Sequence, residues 1–173
     1  MTFDWGFEHA DAALLTSLAS VRWVLTDADG CLTDGGVYFG ENGEALKRFS
    51  IVDGMGVTRL RQVGIAVGIV TGEKSPSIVH RAKKLSLEEV HLGVSDKKAC
   101  LEAFLARHGV LPSAVAYFGD DVNDLPVLPY VGFFASPANA LPDVRRVAHW
   151  TSPRGGGHGA FRDFAELVLR ARK

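Results

Sequence analysis

The sequence contains little cysteine and carries almost no net charge. Cys31 and Cys100 are its only cysteines among 173 residues, and two cysteines provide neither a disulfide framework nor the ligand spacing of a metal site. We therefore expect reduced thiols in a cytoplasmic protein. The 19 basic and 20 acidic residues leave a formal charge of -1, which excludes a general electrostatic attraction to nucleic acid or to an anionic membrane.

The sequence also lacks a long apolar run and a basic leader. Its first residues, MTFDWGFEHADAALL, contain acids and no Lys or Arg before the apolar part, unlike a secretory signal. No apolar run reaches the length that a membrane span needs. With 47% hydrophobic and 23% charged residues, the chain can bury a core, and we predict one domain over residues 1–173.

Short β-branched segments alternate with longer amphipathic ones. Six segments are predicted as strands, the last of them weakly: residues 23–26, 65–71, 90–92, 115–118, 131–135 and 147–151. Helical patterns lie around them: up to residue 20, and at 54–63, 75–85, 96–108 and 123–127. This alternation predicts an α/β, Rossmann-like parallel sheet with helices on both faces, in which ligands bind beyond the carboxyl ends of the strands.

Residues 35–50, GGVYFGENGEALKRFS, interrupt the alternation. Two apolar stretches flank an Asn-Gly pair, which is typical of tight hairpin turns. We therefore predict a small β-hairpin that is inserted directly after the first strand and overhangs the strand ends. Asp34 is interpreted as the residue that opens the hairpin, and Lys47 and Arg48 as charges that keep its edge soluble.

The opposite end contains the glycine-rich stretch PRGGGHG, residues 153–159. Consecutive glycines indicate a flexible hinge, and an amphipathic helical pattern follows it at residues 160–172. We therefore predict that residues 153–173 form a mobile C-terminal tail.

Polar clusters directly follow three of the predicted strands, and they contain these residues: Asp27, Asp29, Thr71, Gly72, Asp120 and Asp121. Because the carboxyl ends of parallel strands meet at one edge of a sheet, the topology brings these clusters together. A carboxylate can attack phosphorus and form an acyl phosphate, which makes Asp27 the candidate nucleophile. Asp29, two residues on, is the candidate general acid that protonates a leaving oxygen.

The same edge offers groups for a phosphate and a metal ion. The Thr71 hydroxyl and the Lys97 ammonium suit the oxygens of a transferring phosphoryl group, whose charge needs fixed donors and cations. Asp120 adds a carboxylate that pairs with Asp27 to bind a divalent ion. Proteins bind Mg²⁺ through one or two carboxylates, water and substrate phosphate, so the sequence predicts a magnesium site.

The ordered motifs resemble those of the haloacid dehalogenase superfamily of phosphatases. They are DADGCLTD at residues 27–34, Thr71-Gly72, Lys97 and GDDVND at residues 119–124. Three longer segments are similar to one capless subfamily: LTDGGVYFGENGEALKRFSIVDGMGVTRLRQVGIAVGIVTG, AYFGDDVNDLPVL and GGGHGAFRDFAELVL. That subfamily comprises phosphatases of 3-deoxy-D-manno-octulosonate 8-phosphate and of nine-carbon acids such as 2-keto-3-deoxynononate and N-acylneuraminate 9-phosphates.

The resemblance implies a role for each matching residue. Asp27 would be the nucleophile and a Mg²⁺ ligand, Asp29 the acid/base and a ligand through its backbone carbonyl, and Asp120 the third protein ligand. It also implies a homotetramer in which the hairpin packs against neighbours and a neighbouring subunit, instead of a cap domain, closes each active site.

The remaining matching residues would act on the phosphate or on its binding groups. Thr71, Gly72 and Lys97 would bind the phosphate, and Gly72 would let the backbone approach it. Asp121 and Asp124 would orient the metal and the lysine.

Two positions depart from the commonest pattern of the subfamily. Ala28 replaces a typical Val, which matters less than the flanking carboxylates. Glu73 stands where octulosonate phosphatases usually carry Arg, and a carboxylate cannot provide an arginine's bidentate donors. Glu73, with Arg81 and Lys84 on one face of the next helix, resembles the nine-carbon variant. The sequence is compatible with both substrates, and it slightly favours the nine-carbon acid. It is likewise compatible with a role in lipopolysaccharide-sugar synthesis or in sialic-acid-like synthesis.

Three other functions use similar residues. A phosphoacceptor receiver domain is excluded by motif order, because its acidic pair comes first and its Thr comes late. A phosphomutase or phosphotransferase of the same superfamily needs a site that excludes water, and no large cap is present. A catalytically idle oligomerisation module is disfavoured because the candidate catalytic residues are intact.

Overall fold

The computed structural model describes residues 12–172. Its strands are β1 (Trp23–Thr26), β2 (Thr33–Gly40), β3 (Gly43–Phe49), β4 (Ala66–Val70), β5 (Glu89–His91), β6 (Val115–Phe118), β7 (Phe133–Ser136) and β8 (Trp150–Thr151). Strands β2 and β3 pair as an antiparallel hairpin. The other six form a parallel sheet in the order β5-β4-β1-β6-β7-β8.

Helices connect successive strands of this sheet. The α-helices are α1 (Ala12–Leu18), α2 (Ile51–Gln62), α3 (Pro76–Lys84), α4 (Lys97–His108), α5 (Pro142–Val147) and α6 (Ala160–Arg170). Short 3-10 helices span Pro112–Ala114 and Val122–Tyr130. Among residues 12–172, no helix is long and apolar enough to cross a membrane. The predicted α/β Rossmann-like fold with a hairpin after the first strand is confirmed.

Helix α2 begins three residues before its predicted start because of its cap. Ser50 has extended backbone geometry, and its hydroxyl accepts hydrogen bonds from the amides of Val52 and Asp53. Such a serine satisfies amides that have no partner within the first turn. The apolar side chains of Ile51 and Val52 are exposed, so they do not follow the pattern of a buried helix face from which the start was predicted.

Other boundaries also differ from the prediction. The segment predicted as a helix at 123–127 is part of a 3-10 helix, because the two prolines of VNDLPVLPY cannot donate backbone hydrogen bonds. The strand predicted at 147–151 is reduced to two residues, and α5, which was not predicted, precedes it. The first helix is observed from Ala12, and its predicted earlier part lies outside the described residues.

Strand β6 shows how the sheet is buried on both faces. Val115 and Tyr117 belong to the hydrophobic cluster that includes α4, whereas Ala116 and Phe118 belong to the cluster that includes α6. Successive side chains of a strand point to opposite faces, so a strand covered on both faces needs continuous apolar residues. The ring of Phe118 stacks on that of Phe164, with centroids 5.4 Å apart.

The glycine-rich segment before α6 packs closely against the rest of the chain. A Cβ at Gly156 would lie 1.8 Å from the carbonyl oxygen of Gly30, so glycine is required there for two backbones to approach. Asp53 of α2 accepts a hydrogen bond from the amide of Gly159 at 3.1 Å. These contacts hold the segment in this structure, and the mobility of residues 153–173 stays a prediction.

Candidate active site

The carboxyl ends of three adjacent strands carry the polar clusters. Strands β4, β1 and β6 are neighbours, and Thr26 of β1 is in register with Ile69 of β4 and Phe118 of β6. The loops that follow them therefore lie side by side and border a cleft of about 400 Å³. Its lining includes these predicted site residues: Asp27, Asp29, Thr71, Gly72, Glu73, Asp120 and Asp121.

Asp27 is held in one orientation at the floor of the cleft. Its Oδ1 accepts a hydrogen bond from the amide of Ala28 at 2.6 Å, and its Oδ2 lies 2.9 Å from Nζ of Lys97. Burial and the nearby Asp124 carboxylate raise the pKa of Asp27 to about 6, and Lys97 opposes this shift. A carboxylate so oriented at the end of a strand suits a nucleophile.

Lys97 belongs to a buried network centred on Asp124. Its Nζ donates to Oδ1 of Asp124 at 2.6 Å, and the hydroxyl of Tyr117 donates to the same oxygen at 2.8 Å. The amides of Asp120 and Asp121 donate to Oδ2 of Asp124 at 3.0 and 3.3 Å. Burial opposes the charge of Lys97, but the neighbouring carboxylates raise its pKa above the usual value. The lysine is therefore a fixed cation.

Three carboxylates lie close enough to hold one cation. Asp27, Asp120 and Asp124 offer oxygens that all lie within 4.8 Å of one another. Both oxygens of Asp124 already accept hydrogen bonds from the protein, which leaves Asp27 and Asp120 to face a ligand. Burial and the two other carboxylates raise the pKa of Asp120 to about 7. A hard divalent cation would offset this repulsion, so the donors fit Mg²⁺.

The loop after β1 approaches Asp120 so closely that it requires glycine. Gly30 has a φ of +72°, and a Cβ there would lie 1.9 Å from Oδ2 of Asp120. Asn139, which no sequence pattern indicated, donates to the carbonyl oxygen of Gly30 at 3.0 Å. Its side-chain oxygen accepts from the amide of Gly156 at 2.6 Å. Asn139 therefore ties the loop after β1 to the C-terminal segment.

The hairpin brings a cation into the cleft that the sequence analysis missed. The interpretation of Lys47 as an edge-solubilising charge is wrong, because its side chain is only 1% exposed and its Nζ lies 2.6 Å from Oδ2 of Asp29. The neighbours Leu46 and Arg48 are exposed, as strand alternation requires. Strand alternation was therefore the signal by which the sequence could have predicted this burial. It places Lys47 on the face of β3 opposite to Leu46 and Arg48, and that face is turned towards the cleft.

The loop after β4 forms one polar wall of the cleft. Thr71 is buried, and its Oγ1 accepts a hydrogen bond from the amide of Glu73 at 3.2 Å. A Cβ at Gly72 would lie 3.7 Å from the carbonyl oxygen of Val94, an ordinary contact, so packing within the chain does not require glycine there. Glu73 is exposed at the rim of the cleft.

The two basic residues predicted to hold a substrate carboxylate lie on α3, outside the lining of the cleft. Nη2 of Arg81 donates to the carbonyl oxygen of Ser50 at 2.7 Å, and its guanidinium carbon lies 5.6 Å from the ring centroid of Phe49. Lys84 is exposed in the last turn of the helix. The described chain alone does not bring either residue into the lining of the cleft, and their substrate role stays a prediction.

Comparison with known proteins identifies relatives that share this architecture. The family model for haloacid dehalogenase-like hydrolases matches residues 73–159. The 3-deoxy-D-manno-octulosonate 8-phosphate phosphatase of Yersinia pestis is 37% identical over 153 residues, which cover 88% of this chain and 82% of that protein.

Solved structures agree over almost the same length. The corresponding phosphatase of Moraxella catarrhalis, solved with a magnesium ion, a phosphate ion and a KDO molecule, has a TM-score of 0.89 at 32% identity, and the match covers 94% of both chains. The cobalt-bound phosphatase of Haemophilus influenzae has a TM-score of 0.87 at 33% identity, covering 90% of this chain and 91% of that one.

Proposed function

The chain belongs to the haloacid dehalogenase-like hydrolases, and we propose that it is a Mg²⁺-dependent phosphatase of a 2-keto-3-deoxy sugar acid phosphate. The observation that carries this proposal is the Asp27–Lys97–Asp124 network with Asp120 beside Asp27 at the strand ends. The names of relatives at 34–37% identity support the substrate class.

The proposed reaction has two steps that use the same two aspartates. Asp27 attacks phosphorus in line with the sugar oxygen and forms an aspartyl phosphate, while Asp29 protonates the departing oxygen. Asp29 then takes a proton from the water that hydrolyses the aspartyl phosphate. Asp29 is 24% exposed at its side chain, so a substrate in the cleft can reach it.

Fixed charges around Asp27 make this attack feasible. Lys97 and Thr71 bind the phosphoryl oxygens, and Gly72 leaves its backbone accessible beside them. When bound by Asp27, Asp120 and the backbone carbonyl of Asp29, Mg²⁺ supplies positive charge that lets an anionic nucleophile approach an anionic ester.

The other two carboxylates of the motif act by holding these groups in place. Asp124 fixes the ammonium of Lys97 by the hydrogen bond described above. Asp121 caps the 3-10 helix that carries Asp124, through the amide of Val122. Asp121 also lines the cleft, where its carboxylate would help to orient the metal.

The substrate of this class can contain eight or nine carbon atoms. We propose 3-deoxy-D-manno-octulosonate 8-phosphate as the first substrate, because relatives of this name cover most of the chain. The nine-carbon 9-phosphates are a second candidate, because Glu73 lines the cleft with a carboxylate. The eight-carbon substrate would place the enzyme in lipopolysaccharide-sugar synthesis, and the nine-carbon one in sialic-acid-like synthesis. Two free cysteines support a cytoplasmic location.

Substrate length is tested by comparing kcat/KM for the eight- and nine-carbon phosphates, in the wild type and in Glu73→Arg. If Glu73 selects the nine-carbon acid, the arginine variant shifts the ratio at least about 10-fold towards the eight-carbon one, since an arginine offers two donors to an anionic group. An unchanged ratio shows that Glu73 does not determine specificity.

We also propose a homotetramer whose neighbouring subunits close the active sites. The hairpin and the start of α2 expose large apolar side chains, among them Phe39 at 77% and Ile51 at 84%. Contiguous exposed apolar surface marks sites of association. Light scattering of the wild type and of Phe39→Glu tests this proposal: the variant should dissociate and lose activity, whereas a fully active wild-type monomer contradicts it.

The central proposal is tested by Asp27→Asn. The variant should keep its fold and lose Mg²⁺-dependent release of inorganic phosphate, because an amide cannot form the acyl phosphate. Retained turnover refutes the assignment. If the wild type transfers phosphate to a second sugar without releasing it, the enzyme is a phosphotransferase or mutase. If the wild type is inactive and only assembles, the chain is an oligomerisation module.

A further inference from the structure

We infer that Lys47 is a positioning residue for Asp29, which makes the hairpin a working part of the active site. The inference rests on the proposed function, because it gives Lys47 a task in the step that releases the sugar. A hairpin that served only for assembly would not need a buried ammonium beside the acid/base.

The geometry holds Asp29 from both sides. Nζ of Lys47 donates to Oδ2 of Asp29 at 2.6 Å, and Oγ1 of Thr33 donates to Oδ1 at 3.2 Å. With both oxygens held, the carboxyl group has one orientation relative to the cleft. Thr33 is the first residue of β2 and Lys47 lies in β3, so both donors come from the hairpin.

Lys47 is itself held in place by a second contact. Oε2 of Glu44 lies 3.7 Å from Nζ of Lys47, and Oε1 of Glu44 accepts a hydrogen bond from Ser75 at 2.5 Å. Ser75 caps α3, directly after the loop that contains Thr71 and Gly72. Polar contacts therefore connect Asp29, the hairpin and the phosphate-side loop.

The burial of Lys47 is unfavourable by itself, and its contact with Asp29 offsets this cost. Removing an ammonium from water is unfavourable unless it is paired, and ordering a long lysine side chain costs conformational entropy. A solubilising lysine at a hairpin edge would avoid both costs by extending into water. The side chain of Lys47 is instead 1% exposed and lies at the cleft.

The task follows from the chemistry of the leaving group. As the bond between phosphorus and the sugar oxygen breaks, the proton of Asp29 moves to that oxygen; Asp29 regains a proton from the attacking water in the second step. Lys47 keeps its protons throughout and fixes the position of the carboxyl group. Misplacing a reacting group by about 1 Å can cost roughly 100-fold in rate.

Two substrates separate this role from a general structural one. A sugar alkoxide needs a proton in order to leave, whereas p-nitrophenolate leaves without one. The kcat/KM value covers the steps up to leaving-group departure, so hydrolysis of the aspartyl phosphate, which both substrates share, does not enter. The test therefore measures kcat/KM for 3-deoxy-D-manno-octulosonate 8-phosphate and for p-nitrophenyl phosphate, both in the presence of Mg²⁺.

Lys47→Met should lower kcat/KM on the sugar phosphate by about 100-fold and on p-nitrophenyl phosphate by less than about 10-fold. Lys47→Arg, which keeps the charge, should recover part of the loss on the sugar phosphate. Lys98→Met is the matched control, because Lys98 is exposed on α4 and outside the cleft lining, and it should match the wild type. Melting temperatures establish that each variant is folded.

A double variant tests whether Lys47 acts through Asp29. If it does, Asp29→Asn with Lys47→Met should be no slower on the sugar phosphate than Asp29→Asn alone, since residues that act as one unit are not additive. Equal losses on both substrates, additive losses or an unaffected Lys47→Met overturn the inference. In each of these three outcomes the wild type remains active, so only the inference about Lys47 fails. A wild type that is inactive on both substrates would instead refute the proposed function.

Discussion

Replacing Asp124 with asparagine measures what the buried network contributes. The change removes one charge and converts one acceptor oxygen into an NH₂ group. In the structure each oxygen of Asp124 accepts two hydrogen bonds: Lys97 and Tyr117 donate to one, and the amides of Asp120 and Asp121 to the other. In either orientation of the asparagine, the NH₂ group faces two donors, so two hydrogen bonds are lost.

The expected loss of stability follows from these contacts. Each buried donor without a partner costs about 1–3 kcal/mol, and removing one partner of a buried ion pair costs about 3–5 kcal/mol. Lys97 keeps Asp27 as a partner at 2.9 Å, which places the expected loss at the lower end, about 3 kcal/mol. For a chain of this size that lowers the melting temperature by roughly 6–12 °C.

Thermal unfolding of wild type and Asp124→Asn checks this value. Asp143→Asn is the matched control, because Asp143 is 63% exposed and pairs with an exposed arginine; its stability should change by less than about 0.5 kcal/mol. The same Asp124 variant should lose at least about 10-fold in kcat/KM, because its Lys97 is less well fixed. A midpoint within about 2 °C of the wild type refutes this account of the network.

Three further results are expected. Gly30→Ala should weaken Mg²⁺-dependent thermal stabilisation, because its Cβ would displace Asp120, 1.9 Å away. Metal-free protein binds protons at Asp27 and Asp120 more tightly than the unfolded chain, since their pKa values are raised from 3.8 to about 6 and about 7. Their stabilising contribution is therefore lost as pH rises from 4 to 7, and Mg²⁺ should raise the melting temperature more at pH 8 than at pH 5. Asp53→Ala should destabilise the protein by about 1–3 kcal/mol in urea unfolding, because it leaves the buried amide of Gly159 without its acceptor.

Local sequence patterns determined the fold class and the position of the site. Alternation of β-branched and amphipathic segments is set by the periods of strands and helices, so it can be read without tertiary information. The polar residues that follow β1, β4 and β6 had to meet at one edge, because all strands of a parallel sheet present their carboxyl ends there. Asp27, Thr71 and Asp120 line one cleft as this rule predicts.

Tertiary structure decided which of these groups hold one another. The contact of Lys47 with Asp29 spans 18 positions in the chain, that of Lys97 with Asp124 spans 27, and that of Asn139 with Gly30 spans 109. Such contacts depend on how the elements pack, which local periodicity does not contain. The sequence therefore determined a parallel sheet with carboxylates at the carboxyl ends of its strands. Packing decided that both oxygens of Asp124 accept hydrogen bonds from the protein and that a hairpin lysine is buried against Asp29.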